Sequence, residues 1–295
     1  MNRIERWLQA GKSFNWNGHR IFYREAGRGE ALLILHGFPT ASWDWHKVWP
    51  LLEERFHLVA PDFLGFGFSD KPRGYNYTIA RQADMVEELT NCLGIRNFHI
   101  LAHDYGDTVA QELLARHNKK EGNFGGGLAI QSLCLLNGGL FPEAHSPRLV
   151  QHLMASPIGR LLTPFFSKRT LARNFNAIFG PDTPPTPEEI DEFWSLITYN
   201  KGKGVMHRLI RYMPERRQHR ERWVGALQQA AIPLRLIDGA TDPISGRHLA
   251  EHYRQLIPDP DVVFLEGIGH YPQTEAPEVM LQHFLEFVWA GSGRI

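Results

Sequence analysis

Three residues, met in one order along the chain, could carry chemistry together: Asp104, Asp242 and His270. Asp104 is the centre of Ala102-His103-Asp104-Tyr105-Gly106, directly after the apolar run Phe98–Ala102. A sharp strand-to-helix turn that exposes a nucleophile needs small residues two before and two after it, and Ala102 and Gly106 meet that need. Centring the turn on Asp107 would put Tyr105 in a small-residue slot, which favours Asp104. An aspartate at this point can instead cap the helix that follows. Its companions tip the balance, because Asp242 follows the apolar run Pro233–Ile237 and His270 follows Val262–Leu265 in a loop bracketed by glycines. A carboxylate that attacks an acyl carbon gives an anhydride, whereas attack on a saturated carbon gives an ordinary ester. Asp104 therefore suits displacement at sp³ carbon, opening an epoxide or expelling a halide. His270, oriented by Asp242, would then activate the water that hydrolyses the ester.

These residues need a scaffold, and the pattern of the chain supplies one. Ala31–Leu35, His57–Ala60, Phe98–Ala102 and Ile130–Leu136 read as buried strands, and Pro233–Ile237 and Val262–Leu265 resume the series. Between them, Ile79, Ala83, Val86, Leu89 and Leu93 recur at helical spacing, with Thr78 placed to cap the helix and Gly94 to end it. Val109, Ala110, Leu113 and Leu114 form a second apolar face after Asp104, and a last helix starts near Pro277. Such alternation predicts a mostly parallel sheet covered on both faces. Ser13–Glu25 reads as an antiparallel hairpin at its edge. From about 141 to 221 helical segments follow one another without strands, broken by Gly180–Pro187, which suggests a lid over the sheet's carboxyl edge. Within it, Arg208–Arg222 holds six Arg against two Glu, a composition that fits a solvated helical face better than a polyanion site.

Composition narrows the field further. The 295 residues are 43% hydrophobic, and 32 Lys+Arg balance 32 Asp+Glu, which leaves no global field to steer nucleic acid or an anionic membrane. Cys92 and Cys134 cannot form a disulfide framework. No run of 18 apolar residues occurs, and the first residues carry no apolar signal core, so the chain is expected to be cytoplasmic without a transmembrane segment. Nothing calls for a metal or cofactor.

The order nucleophile, acid, histidine is that of the α/β hydrolases, whose first loop, here His36-Gly37-Phe38-Pro39, offers one oxyanion-hole amide. Phe38 would pair its amide with that of Tyr105, while His36 reads as structural. HGFPTASWDW (36–45), DFLGFGFSDKP (62–72), AHDYGDTVAQELL (102–114), LCLLNGGLFPE (133–143) and RWVGAL (222–227) together resemble the α/β hydrolases with an aspartate nucleophile, the epoxide hydrolase and haloalkane dehalogenase group. The resemblance implies an eight-stranded, mostly parallel sheet with helices on both faces and a helical cap. It divides the chain into core 1–140, cap 141–221 and core 222–295.

It also implies where a leaving group would be met. Dehalogenases of this kind carry a Trp after the nucleophile and often an Asn after His-Gly; here Tyr105 and Phe38 stand at those positions. A Tyr105 hydroxyl can still donate. Related epoxide hydrolases share the His-Gly-Phe-Pro form and use two lid tyrosines. Tyr212 matches one of them, set against a helix-packing role, and Pro164-Phe165-Phe166 stands where the other is expected. Asp107 replaces the usual small residue three after the nucleophile and reads as a helix cap; buried without helix amides, it would raise the pKa of Asp104. His99-x₄-Asp104 imitates an acyltransferase spacing, but a strand fills the interval. The leading expectation is epoxide hydrolysis of a small apolar or amphipathic organic substrate, with haloalkane dehalogenation next. Esterase or acyl-transfer chemistry lacks a Ser or Cys at the turn. A weakly active binding protein is the remaining alternative.

Overall fold

The computed structural model describes residues 1–156 and 158–290, apart from the Val150 side chain. Its strands are β1 (Lys12–Trp16), β2 (His19–Ala26), β3 (Ala31–Leu35), β4 (His57–Pro61), β5 (Asn97–His103), β6 (Ala129–Leu136), β7 (Leu234–Gly239) and β8 (Val262–Leu265). They form one sheet in the order β1-β2-β4-β3-β5-β6-β7-β8. β1 and β2 are the expected antiparallel edge hairpin, turning at Asn17 and Gly18, both in the left-handed region that a tight two-residue turn requires. β2 also runs antiparallel to β4, and every other pairing is parallel. Consecutive residues of β3, Leu32 to Leu35, are all buried. Because successive side chains of a strand point to opposite faces, both faces of the sheet must be covered.

The helices follow their sequence signals. Ile79–Cys92 starts at Thr78, whose side chain accepts from the Arg81 amide, and Gly94 beyond its end takes a positive φ. Tyr105–Lys119 springs from the end of β5 and packs against β3, β5 and β6, with Ile79–Cys92 and Arg220–Gln228 lying on it. Pro277–Ala290 closes the described chain, beginning at the proline. A helix not foreseen from sequence, Arg3–Gln9, is started by an Asn2/Glu5 capping box and buries Trp7 edge-on against Trp43 and Trp49.

Between β6 and β7 only helices occur among the described residues, from Leu149–Ala155 to Arg220–Gln228. The Pro-rich stretch ends in a helix start: Thr186 caps Pro187–Thr198, with Pro187 in the first turn. The division expected at 221/222 falls inside Arg220–Gln228. That helix belongs with the elbow helix below it, because Arg222 and the Trp223 indole both donate to buried Glu112. The arginine run is not a uniformly solvated face either. Arg220 pairs with Glu143, Arg222 with Glu112 and Glu121, and Arg216 is 2% exposed at the carboxyl end of the sheet.

Candidate active site

Asp104 occupies the turn between β5 and the helix Tyr105–Lys119 with φ 46° and ψ −100°, a strained conformation for a residue with a side chain. It stands at the helix's N-cap position, yet its side chain makes no capping hydrogen bond. Instead its Oδ2 accepts from the Phe38 amide at 3.0 Å. Capping therefore does not explain this aspartate. The turn is tight because Gly106 carries no side chain: a Cβ there would lie 2.6 Å from the Leu35 carbonyl oxygen.

His270 lies in the loop after β8 and donates from Nδ1 to Asp242 Oδ2 at 2.6 Å. Asp242 accepts four further hydrogen bonds. Its oxygens take the Ile244 amide at 2.8 Å, the Ser245 amide at 3.2 Å, the Ser245 hydroxyl at 2.9 Å and the Asn137 amide group at 3.1 Å. Glu275 gathers the Gly269, Tyr271 and Gly180 amides and so fixes the His270 loop to the segment after Phe179. The residue before Asp104, His103, donates from Nε2 to the His270 carbonyl oxygen at 2.7 Å and ties the two loops together. Asn137, Ser245, Glu275 and His103 were not singled out from the sequence; their partners are distant in the chain, and only folding brings them together.

Arg216 was also missed. Its Nε donates to the Thr108 hydroxyl at 2.8 Å and its Nη2 to the Asp104 carbonyl oxygen at 3.2 Å, with Asp104 Oδ1 3.5 Å away. Its guanidinium lies 4.5 Å from the centre of the Tyr212 ring. Tyr212 and Arg216 are four residues apart in the helix Tyr212–Gln218 and share one face. That spacing was the available signal. Burial, then the Asp104 charge, raises the Tyr212 pKa well above the ordinary tyrosine value.

Burial alone would raise the pKa of Asp104, but the charges of His270 and Arg216 outweigh it and hold the carboxyl below its usual range. For His270, burial opposes protonation. The charge and hydrogen bond of Asp242, joined by the charge of Asp104, push it up to about 9. Asp107 departs from expectation: it is fully buried, lies against Gly138 and makes no well-formed hydrogen bond to helix amides. Burial first and the Asp104 charge second raise its pKa far above normal. Burial and the Asp104 charge thus favour the protonated form of Asp107, while His270 and Arg216 favour the ionised form of Asp104.

A small cavity of about 70 Å³ opens onto Asp104 and His270, walled by apolar residues such as Phe38, Met154, Phe175 and Ile210, with Arg148, Gln151 and Asn174 as polar members. A larger cleft, about 940 Å³, sits at the opposite edge of the sheet around Ala31, His57 and Asn97, far from this chemistry. Phe166 and Tyr271 join the cavity wall, whereas Phe165 points outward at 82% exposure. Tyr105 does not line the cavity. Its ring is packed on Phe63, Phe66 and Tyr212, away from the cavity, so its side chain is not aimed at a leaving group. Its amide opens the elbow helix, where N–H groups have no helical partner. His36 is structural, bonding Gly37 and the Phe63 amide. His99 bonds Ser132 two residues into β5, with the rest of the strand between it and Asp104. An ionised carboxylate at a strained turn, with amide donors and a histidine–carboxylate pair around one cavity, can form and hydrolyse an ester.

A model of the α/β hydrolase fold family matches residues 30–277. The chain is 44% identical to the mesoderm-specific transcript protein of Mus musculus over 97% of this chain and 88% of that protein. The solved structure of the epoxide hydrolase CorEH matches with a TM-score of 0.77 at 22% identity, covering 95% of this chain and 98% of that one. A loop variant of the haloalkane dehalogenase DbeA from Bradyrhizobium elkanii matches with a TM-score of 0.79 at 22% identity, covering 97% and 99%. At such identities these two likenesses speak for the fold alone. The extent of the family match and the identity to the mouse protein make the assignment: this chain belongs to the α/β hydrolase family.

Proposed function

We propose that the protein is a hydrolase that opens epoxides through an ester on Asp104. The observation that carries this reading is the buried Tyr212, whose ring lies 4.5 Å from the Arg216 guanidinium and whose phenol feels the Asp104 charge. An Asp104 oxygen attacks a ring carbon, the carbon–oxygen bond of the epoxide breaks, and the leaving oxygen takes the phenolic proton of Tyr212. The attack also neutralises Asp104, which removes one of the charges that keep Tyr212 protonated. Arg216 meanwhile favours the phenolate. In the second step His270 takes a proton from water, whose oxygen attacks the ester carbonyl. The amides of Phe38 and Tyr105 steady the oxyanion. Collapse frees the diol and the Asp104 carboxylate, and the proton on His270 returns to Tyr212 through solvent.

On this reading the helices between β6 and Arg220 act as a lid, and a cavity of about 70 Å³ means that anything larger than a small molecule enters only when the lid shifts. Halide expulsion is the second reading. It has the same nucleophile, but it lacks an indole beside Asp104, and Tyr105 faces away. Exposure of the His270→Gln variant to a panel of epoxides and haloalkanes tests the proposal. Intact-protein and peptide mass spectrometry should find a persistent adduct on Asp104 from epoxides. An adduct from haloalkanes alone, or rapid turnover by this variant, overturns it.

A further inference from the structure

Eight large apolar side chains are exposed among the described residues, and five of them cluster in sequence: Leu149, Leu153, Ile158, Leu161 and Phe165. They cluster in space as well. The helix Leu149–Ala155 packs on Gly159–Leu162, which packs on the turn Thr163–Phe165. Leu149 and Leu153 are one turn apart on the outside of a helix whose Gln151 and Met154 line the Asp104 cavity. The apolar patch is therefore the outer face of the wall that closes the site. A contiguous exposed patch of this kind marks a surface meant to be covered.

What borders it says what covers it. A cleft of about 320 Å³ next to Phe165 is lined by Arg73, Arg160, Lys203, His207 and Arg208 together with Thr163 and Pro164, without a carboxylate. Lys203 reaches across it to the Pro164 carbonyl at 3.1 Å. Burial and the charges of Arg208, Arg160 and Arg211 lower the pKa of His207, a sign of cations crowded without a neutralising partner. From 144 to 181 the chain carries five Lys and Arg and not one Asp or Glu. Of these, Lys168 pairs with Asp191 and Arg148 lines the Asp104 cavity, so the positive charge beside the patch is that of the cleft, which the zero net charge of the whole chain hides.

We propose that this face docks on an anionic phospholipid bilayer, the five apolar side chains entering the headgroup boundary and the cleft holding a lipid phosphate. The wall of the cavity then rests against the membrane, and lipophilic substrate reaches Asp104 from the bilayer. A second copy of the chain fits the face less well, because a two-fold contact sets the basic rim against itself. Nucleic acid has no counterpart for the apolar centre.

Co-sedimentation with vesicles tests this, and it reads binding alone, apart from the reaction assigned to Asp104. The protein should partition onto phosphatidylcholine vesicles that contain phosphatidylglycerol, far less onto pure phosphatidylcholine, and less at high salt. Leu161→Ser with Phe165→Ser, and separately Arg160→Gln with Lys203→Gln, should each lower partitioning, the latter by about fivefold per charge. All four positions lie outside the Asp104 cavity, and unchanged thermal midpoints would show the variants folded. Absence of binding to the anionic vesicles, or binding indifferent to both pairs, overturns the proposal. So does a dimer in sedimentation velocity that Phe165→Ser dissolves without any vesicle binding, which gives the face to a second copy.

Discussion

With a pKa of about 9, His270 keeps its proton at neutral pH, although the second step of the proposed reaction needs it as a base. The conflict resolves within the cycle. Asp104 is one of the charges that hold the proton there, and esterification removes that charge. Asp104→Asn should therefore lower the His270 pKa, visible in an NMR titration of the ring; an unmoved pKa would sink the coupling. Tyr212→Phe should slow epoxide opening by roughly 10²–10⁴, the usual weight of a general acid, and leave any halide release unchanged. Comparing diol and halide formation in both proteins checks this. Arg216→Gln removes a charge that lowers the Asp104 pKa, so the acid limb of the kcat/KM profile should move to higher pH. Losing one member of this buried pair should also cost about 3–5 kcal/mol of stability. An unchanged pH profile would reduce Arg216 to packing.

Single elements hold these residues to their places through backbone contacts, and that sets what can be altered. Gly106→Ala would press a methyl group onto the Leu35 carbonyl of β3, and backbone cannot yield as a side-chain tip can. Urea unfolding should show a loss of about 1–3 kcal/mol, the usual range for overpacking. Gly225 sits inside the helix Arg220–Gln228 with no atom closer than 4.0 Å to its missing Cβ. Gly225→Ala should instead stabilise by about 0.5–1 kcal/mol. Equal effects of the two changes would remove the contact argument. The same distinction explains what the sequence made legible. The buried parallel strands announce themselves as continuous apolar runs, and Ala102 and Gly106 mark the tight turn around Asp104 by their size alone. Arg216 stayed hidden because charges in a row look like a wet surface, and only its four-residue step from Tyr212 hinted otherwise. The direction of the Tyr105 ring is set by Phe63 and Phe66, which the chain brings near only on folding.

Across the whole molecule, buried titratable groups set a pH window for stability. Seven histidines, His36, His46, His99, His103, His117, His145 and His207, have lowered pKa values, His103 and His145 reaching about 3 and His46 about 4. Below their ordinary value the unfolded chain gains protons that the native protein refuses, so stability falls as the pH drops. Asp44 and Asp107 are raised well above normal, and Asp238 and His270 are each raised to about 9. Here the native protein keeps protons that the unfolded chain has released, and stability falls as the pH climbs through that range. Between about pH 4.5 and 6 the seven histidines outnumber the four raised carboxyls, Asp44, Asp107, Asp238 and Glu215, so the optimum should lie near neutral pH. Thermal midpoints measured from pH 4 to 10 should peak there; a midpoint still rising at pH 9 would contradict this reading.

Two backbone hydrogen bonds fasten the wall of the Asp104 cavity. The Ser146 amide donates to the Ile244 carbonyl and the His270 amide to the Ile178 carbonyl, so the excursion from 146 to 178 is fastened at both ends to the loops that carry Asp242 and His270. Its two feet stand on the reaction centre while its body forms one wall of the cavity and the outward apolar face. Such a stretch can be exchanged between relatives as a cassette. Recombination there would alter which molecules are admitted and which surface is visited, while the feet keep the acid and the base in register. Diversification of this lineage would then proceed by swapping its doorway and leaving the hearth alone.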